Sequence, residues 1–151
     1  MSLNTLEEIA EYIVSDGKGI LAADESNPTC GKRFDSIGVE STETNRRDYR
    51  EMLFRSRGMK DNIGGVILFD ETLRQSADDG TALRDVILSH KSLPGIKVDQ
   101  GVQPLTDNSE ETITVGLDGL EDRCKEYDSL GAKFTKWRAV IKIGENIPSE
   151  N

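Results

Sequence analysis

Gly19-Ile20-Leu21-Ala22-Ala23-Asp24 is a short apolar run that closes on a carboxylate. A run of that length, entered through Asp16-Gly17, predicts a strand buried on both faces. The same phrase returns in Gly64-Gly65-Val66-Ile67-Leu68-Phe69-Asp70-Glu71, in Pro94-Gly95-Ile96-Lys97-Val98-Asp99 and over residues 134–143. Helical spacing between these runs predicts helices over 42–55, 80–90 and 117–130. In the last, Leu117, Leu120, Cys124, Tyr127 and Leu130 recur three or four apart, and Gly131 stands where a helix C-terminus accepts positive φ. A further amphipathic helix over 5–15 precedes them, with Thr5 and Glu8 as a capping box and Leu6, Ile9, Ala10 and Ile13 on one face. Alternating strands and helices with apolar strands predict an α/β fold, a parallel sheet with right-handed crossovers. No low-complexity linker interrupts the pattern, so residues 1–151 read as one domain.

Two parallel architectures compete, an open doubly wound sheet and a closed barrel. The first strand-to-helix turn carries neither G-x-G-x-x-G nor G-x-x-x-x-G-K-[ST], which argues against nucleotide-binding open sheets. Charges inside the strands argue for a barrel. Side chains alternate along a strand, so Lys97 shares a face with Asp99, and Lys136 with Arg138. A lysine inside an apolar strand costs several kcal/mol unless it is paired or lines a polar cavity. Asp24, Lys97, Lys136 and Arg138 would converge on the mouth where parallel barrels build their sites. The plain alternative is a structural ion pair, for instance Asp24 with Lys97.

Such a site has limited chemistry. Excess cations favour an anionic substrate, a phosphate or a carboxylate. A lysine among other cations becomes nucleophilic toward a carbonyl, and a carboxylate such as Asp24 can move the protons this chemistry requires. Gly31-Lys32-Arg33 reads equally as a second phosphate anchor or a solvated basic turn. Arg46-Arg47 reads as helix surface, Asp78-Asp79-Gly80 as a turn, His90 as a helix end and Trp137 as core.

Composition narrows the class. With 28 acidic and 19 basic residues the net charge is −9, against non-specific nucleic-acid binding. No run reaches membrane-spanning length, and the N-terminal segment lacks the pattern of a signal or transit peptide. Cys30 and Cys124 show no metal-ligand spacing and read as reduced thiols in a cytoplasmic protein.

The stretches Gly17-Lys18-Gly19-Ile20-Leu21-Ala22-Ala23-Asp24-Glu25-Ser26, Gly65-Val66-Ile67-Leu68-Phe69, Pro94-Gly95-Ile96-Lys97-Val98-Asp99, Gly116-Leu117-Asp118-Gly119-Leu120 and Lys136-Trp137-Arg138 come in one order at one spacing. Together they resemble the class I fructose-1,6-bisphosphate aldolases. The resemblance implies a (β/α)8 TIM barrel, represented by about its first half. It also implies a cytoplasmic, homotetrameric parent that cleaves fructose 1,6-bisphosphate to two triose phosphates in glycolysis. A lysine Schiff base serves that reaction, with no metal or other cofactor and no nucleic-acid or membrane partner. Asp24 resembles the family's strand-one acid in proton transfer and carbon–carbon cleavage, and Lys136 the lysine that assists the carbinolamine steps. Arg138 and Lys97 line the same site by this resemblance. Arg33 is similar to an arginine holding a substrate phosphate, with Lys32 and Thr29 near it, and Arg46 matches another substrate-binding position. Pro28 and Gln100 depart from the commoner choices, Gln100 standing where the family more often has lysine.

The Schiff-base lysine belongs to the family's sixth strand and a pair of catalytic glutamates to its fifth, whereas the 151 residues reach the fourth. The expectation is a chain inactive by itself. The alternatives are a sugar-phosphate-binding half barrel without catalysis, or an unstable one.

Overall fold

The four apolar runs become four strands: β1 (Gly19–Ala23), β2 (Ile63–Leu68), β3 (Leu93–Lys97) and β6 (Phe134–Lys136). In this computed structural model, which describes residues 3, 5–107 and 110–150, they pair in parallel in the order β1-β2-β3-β6. An open doubly wound sheet reverses its strand order at a switch point. Here spatial order follows chain order throughout, and the sheet is a partial (β/α)8 barrel.

The helices before and between the strands form where their periodicity places them. These are α1 (Leu6–Tyr12), α3 (Glu43–Phe54), α6 (Leu83–Ser89) and α7 (Leu120–Ser129). The capping box forms: Thr5 Oγ1 accepts from Glu8 N at 3.2 Å, and the Glu8 carboxylate accepts from Thr5 N at 3.1 Å. Thr42 caps α3 by accepting from Asn45 N at 3.1 Å. Gly131, at φ 97, follows α7 in the conformation expected of it. His90 caps the end of α6.

Several elements differ from expectation. The fourth strand ends at Lys136, not at residue 143, because its partner β3 ends at Lys97 and the ladder closes on that pair. The segment after Asp24 is not a simple turn: α2 (Asn27–Asp35) begins there, with Pro28 in its first turn, and takes in Gly31-Lys32-Arg33. Only Cys30 and Phe34 of α2 are buried, too few apolar positions to show a helical period. The short helices α4 (Met59–Asn62) and α5 (Asp70–Arg74) are also new, as is an antiparallel hairpin of β4 (Val102–Pro104) and β5 (Thr112–Thr114).

Strand alternation separates two faces. Val66, Leu68, Ile96 and Ala23 point to the helices and join Phe54, Leu73, Leu83 and Ile87 in the core. Trp137 packs against the same cluster. Ala22, Asp24, Lys97, Lys136 and Arg138 point to the other face, the concave side of the sheet. Glycines let neighbouring groups pack close against the strands. A Cβ at Gly95 would run into the Phe134 ring, and one at Gly64 would collide with the carbonyl of Ile13, which follows α1.

Candidate active site

The inner strand residues and the loops that follow them surround a cavity of about 940 Å³. Asp24, Lys97, Lys136, Arg138, Arg33 and Thr29 all line it. The expectation that three strand ends would bring their charges to one mouth is met by the geometry. Lys32 and Arg46 stand apart. Lys32 is exposed on α2 and does not line the cavity. Arg46 is buried, donates to both Glu71 oxygens at 2.9 and 2.7 Å and to Ser41 O at 2.6 Å, and does not face the cavity either.

The pairing of the charges differs from the ion pair suggested by sequence. Asp24 meets Lys136, whose Nζ lies 2.6 Å from Asp24 Oδ2. Lys97 instead donates to Asp99, at 2.5 Å to Oδ1 and 2.6 Å to the carbonyl. Burial works against a charged Asp99, but the Lys97 ammonium and the Arg138 N–H, 3.1 Å from Oδ2, outweigh it and hold this carboxyl below its ordinary range. Arg138 leaves its own side chain exposed at the rim.

Arg33 reaches the cavity from α2 with its side chain 55% exposed. Its guanidinium pairs with the Glu25 carboxylate and donates to Tyr49 Oη at 3.1 Å. Glu25 therefore stands beside the cation expected to hold a phosphate, a relation that sequence spacing did not signal. Arg123, on α7, was also unforeseen. It donates to Val98 O at 2.9 Å and to Gly116 O, tying the exit of β3 to the segment after β5 on the cavity wall. A single arginine in a polar first helical turn carries no signal for that role. Cys30 is fully buried, and burial raises its thiol pKa although Arg50 opposes the shift. Among the described residues, no group of three His, Cys, Asp or Glu is arranged to hold a metal ion, and no helix is long and apolar enough to cross a membrane.

A parallel partial barrel of this kind has known counterparts. Residues 5–151 match the glycolytic class I fructose-bisphosphate aldolase family. The chain belongs to that family. It is 53% identical over 149 residues to a probable class 1 fructose-bisphosphate aldolase of Xanthomonas campestris, covering 99% of this chain and 45% of that protein. A fructose-bisphosphate aldolase of Drosophila melanogaster is 55% identical over 145 residues, covering 95% of this chain and 40% of that one. A cytosolic fructose-bisphosphate aldolase of Arabidopsis thaliana is 57% identical over 141 residues, covering 93% and 39%. The solved fructose-bisphosphate aldolase of Plasmodium falciparum superposes with a TM-score of 0.87 at 48% identity, over 90% of this chain and 39% of that chain. The present chain thus spans less than half the length of these aldolases. Its four strands and their cavity lie within the shared portion.

Proposed function

We propose that these residues furnish the proton-moving and phosphate-binding side of a class I fructose-bisphosphate aldolase site. The reaction is the reversible cleavage of fructose 1,6-bisphosphate to dihydroxyacetone phosphate and glyceraldehyde 3-phosphate. The observation that carries the reading is the Asp24–Lys136 contact at 2.6 Å inside a cavity lined by further cations. A carboxylate held against an ammonium can take a proton from the substrate hydroxyl whose carbon–carbon bond breaks, while the ammonium donates to the hydroxyl that leaves a carbinolamine as water. Arg33, Arg138 and Lys97 supply positive charge for the phosphates. Lys32, Thr29 and Arg46 complete the proposed binding set. Lys32 and Arg46 act from outside the cavity lining, Arg46 by fixing α3 to Glu71.

The lysine nucleophile of the family is assigned to none of the lysines here, and the 151 residues alone are proposed to bind without cleaving. The whole protein is proposed to be a cytoplasmic homotetramer, in keeping with relatives named cytosolic. Borohydride reduction in the presence of dihydroxyacetone phosphate tests this assignment. Absence of a covalent adduct is expected, whereas a specific adduct at Lys97 or Lys136 would make one of them the nucleophile. A second reading, a sugar-phosphate-binding half barrel without catalysis, is favoured by the same cavity. Specific phosphate binding with no adduct fits it, and a failure to fold cooperatively would leave only an unstable fragment.

A further inference from the structure

Arg50 is the largest fully buried side chain among the described residues, and it does not line the cavity. Its guanidinium is directed at the exit of β1. Nε donates to Ala23 O at 3.2 Å and Nη2 donates to Glu25 O at 2.5 Å. These carbonyls belong to the residues on either side of Asp24. Along an extended chain, groups two residues apart point the same way, so one planar guanidinium can span both. The β1–β2 ladder closes at the pair Ala23–Leu68, and Arg50 holds the backbone immediately beyond it. Nη2 also lies 3.8 Å from Glu25 Oε2.

The burial of this arginine is not arranged for stability alone. Its Nη1 and the facing Glu25 Oε2 are both buried without a hydrogen-bond partner, a costly state for charged groups. What the arrangement achieves is a fixed backbone on both sides of one residue. That residue carries the carboxylate 2.6 Å from Lys136 Nζ.

We propose that Arg50 is a positioning residue, clamping the carbonyls of Ala23 and Glu25 so that the Asp24 carboxylate is held against Lys136. The inference deepens the proposed function, because it names what orients that same pair. Lysine cannot replace this arginine well, since its single ammonium cannot span two carbonyls in a planar fork.

The test is site-resolved reductive methylation of the 151-residue chain with formaldehyde and a borane reductant, read by mass spectrometry. A carboxylate held against Lys136 Nζ occupies the amine by a hydrogen bond and slows its labelling. Lys97, held by Asp99 at another strand exit, is the internal reference. Asp24→Asn should speed Lys136 labelling by roughly fivefold, since the charge-assisted hydrogen bond that occupies the amine is weakened. Arg50→Lys and Arg50→Gln should each speed it by about threefold, while Lys97 changes less than about twofold. Unchanged labelling of Lys136 in both Arg50 variants would overturn the proposal. So would an equal rise at Lys97 and Lys136 in both, which would make Arg50 a support of the whole fold. If Asp24→Asn itself has no effect while the Arg50 variants do, the pairing of Asp24 with Lys136 fails and the proposal fails with it. If Asp24→Asn acts and the Arg50 variants do not, only the role of Arg50 is lost.

Discussion

Asp24 and Lys136 are 112 residues apart in the chain, yet their side chains meet at 2.6 Å from the ends of the two outermost strands of the sheet. Neighbouring strands lie about 4.8 Å apart, so three spacings in a flat sheet would separate these ends by roughly 14 Å. The contact forms because the sheet curls, and the curl is that of a barrel wall. Fold and site are therefore linked through one ion pair: the curvature that defines the barrel also brings the acid to the lysine.

The pair has opposite effects on anion binding when its members are removed. One charge near a bound anion contributes on the order of 1 kcal/mol at the dielectric of a partly solvated site. Lys136→Met should weaken inorganic phosphate binding about fivefold, and Asp24→Asn should strengthen it by a similar factor. Isothermal titration at low salt measures both, and a change of the same sign in the two variants would contradict the electrostatic account.

Arg33 and Arg46 should separate cleanly. Arg46 is buried and bidentate to Glu71, so Arg46→Met should cost about 3 kcal/mol of stability by leaving that carboxylate unpaired. Arg33 is half exposed, and its buried partner Glu25 keeps Tyr49 and Arg50 nearby, so Arg33→Met should cost less, about 1–2 kcal/mol. Phosphate affinity should fall more for Arg33→Met. Urea denaturation and phosphate titration on the same samples decide the ordering.

Much of this was readable beforehand. The four apolar runs predicted the strands because parallel strands buried on both faces leave few polar positions. Alternation then sorted Asp24, Lys97, Lys136 and Arg138 onto one face. Pairing was not readable, since it depends on curvature and on rotamers. Asp24 met Lys136 in place of Lys97, which has Asp99 two residues along its own strand exit. The helix over Asn27–Asp35 was hidden by its polar surface, and the buried guanidinium of Arg50 by the rule that arginines stay outside. Arg46, expected at the substrate from family resemblance, is turned to Glu71, the α3 arginine pairing with the α5 carboxylate.

Gly64→Ala should destabilise the chain by about 1–3 kcal/mol, the usual cost of overpacking. The new methyl would collide with the carbonyl of Ile13, a backbone atom that cannot swing aside as a side chain does. A lowered urea midpoint with an unchanged slope is the expected result. An unchanged midpoint would mean that the segment after α1 does not rest on β2.

Acid should unfold the protein through specific carboxylates. Hydrogen bonds from Arg46 hold Glu71 below its ordinary pKa, and Lys97 and the Arg138 N–H do the same for Asp99 against the effect of its burial. A carboxyl with a lowered folded-state pKa adds stability that is fully present above its unfolded value. That stability is lost as pH falls through the folded value. Stability should therefore decline on acidification below about pH 4. Glu71→Gln and Asp99→Asn should each flatten the decline in a series of melts, and a decline equally steep in both variants would place its origin elsewhere.

The most direct test of the strand-end site is a titration of the isotopically labelled 151-residue chain with dihydroxyacetone phosphate, followed by nuclear magnetic resonance. Saturable shifts at Lys97, Lys136 and Arg138, lost in Lys136→Met, are the predicted result. No saturable change at those residues, or changes confined to the surface around α1, would contradict it.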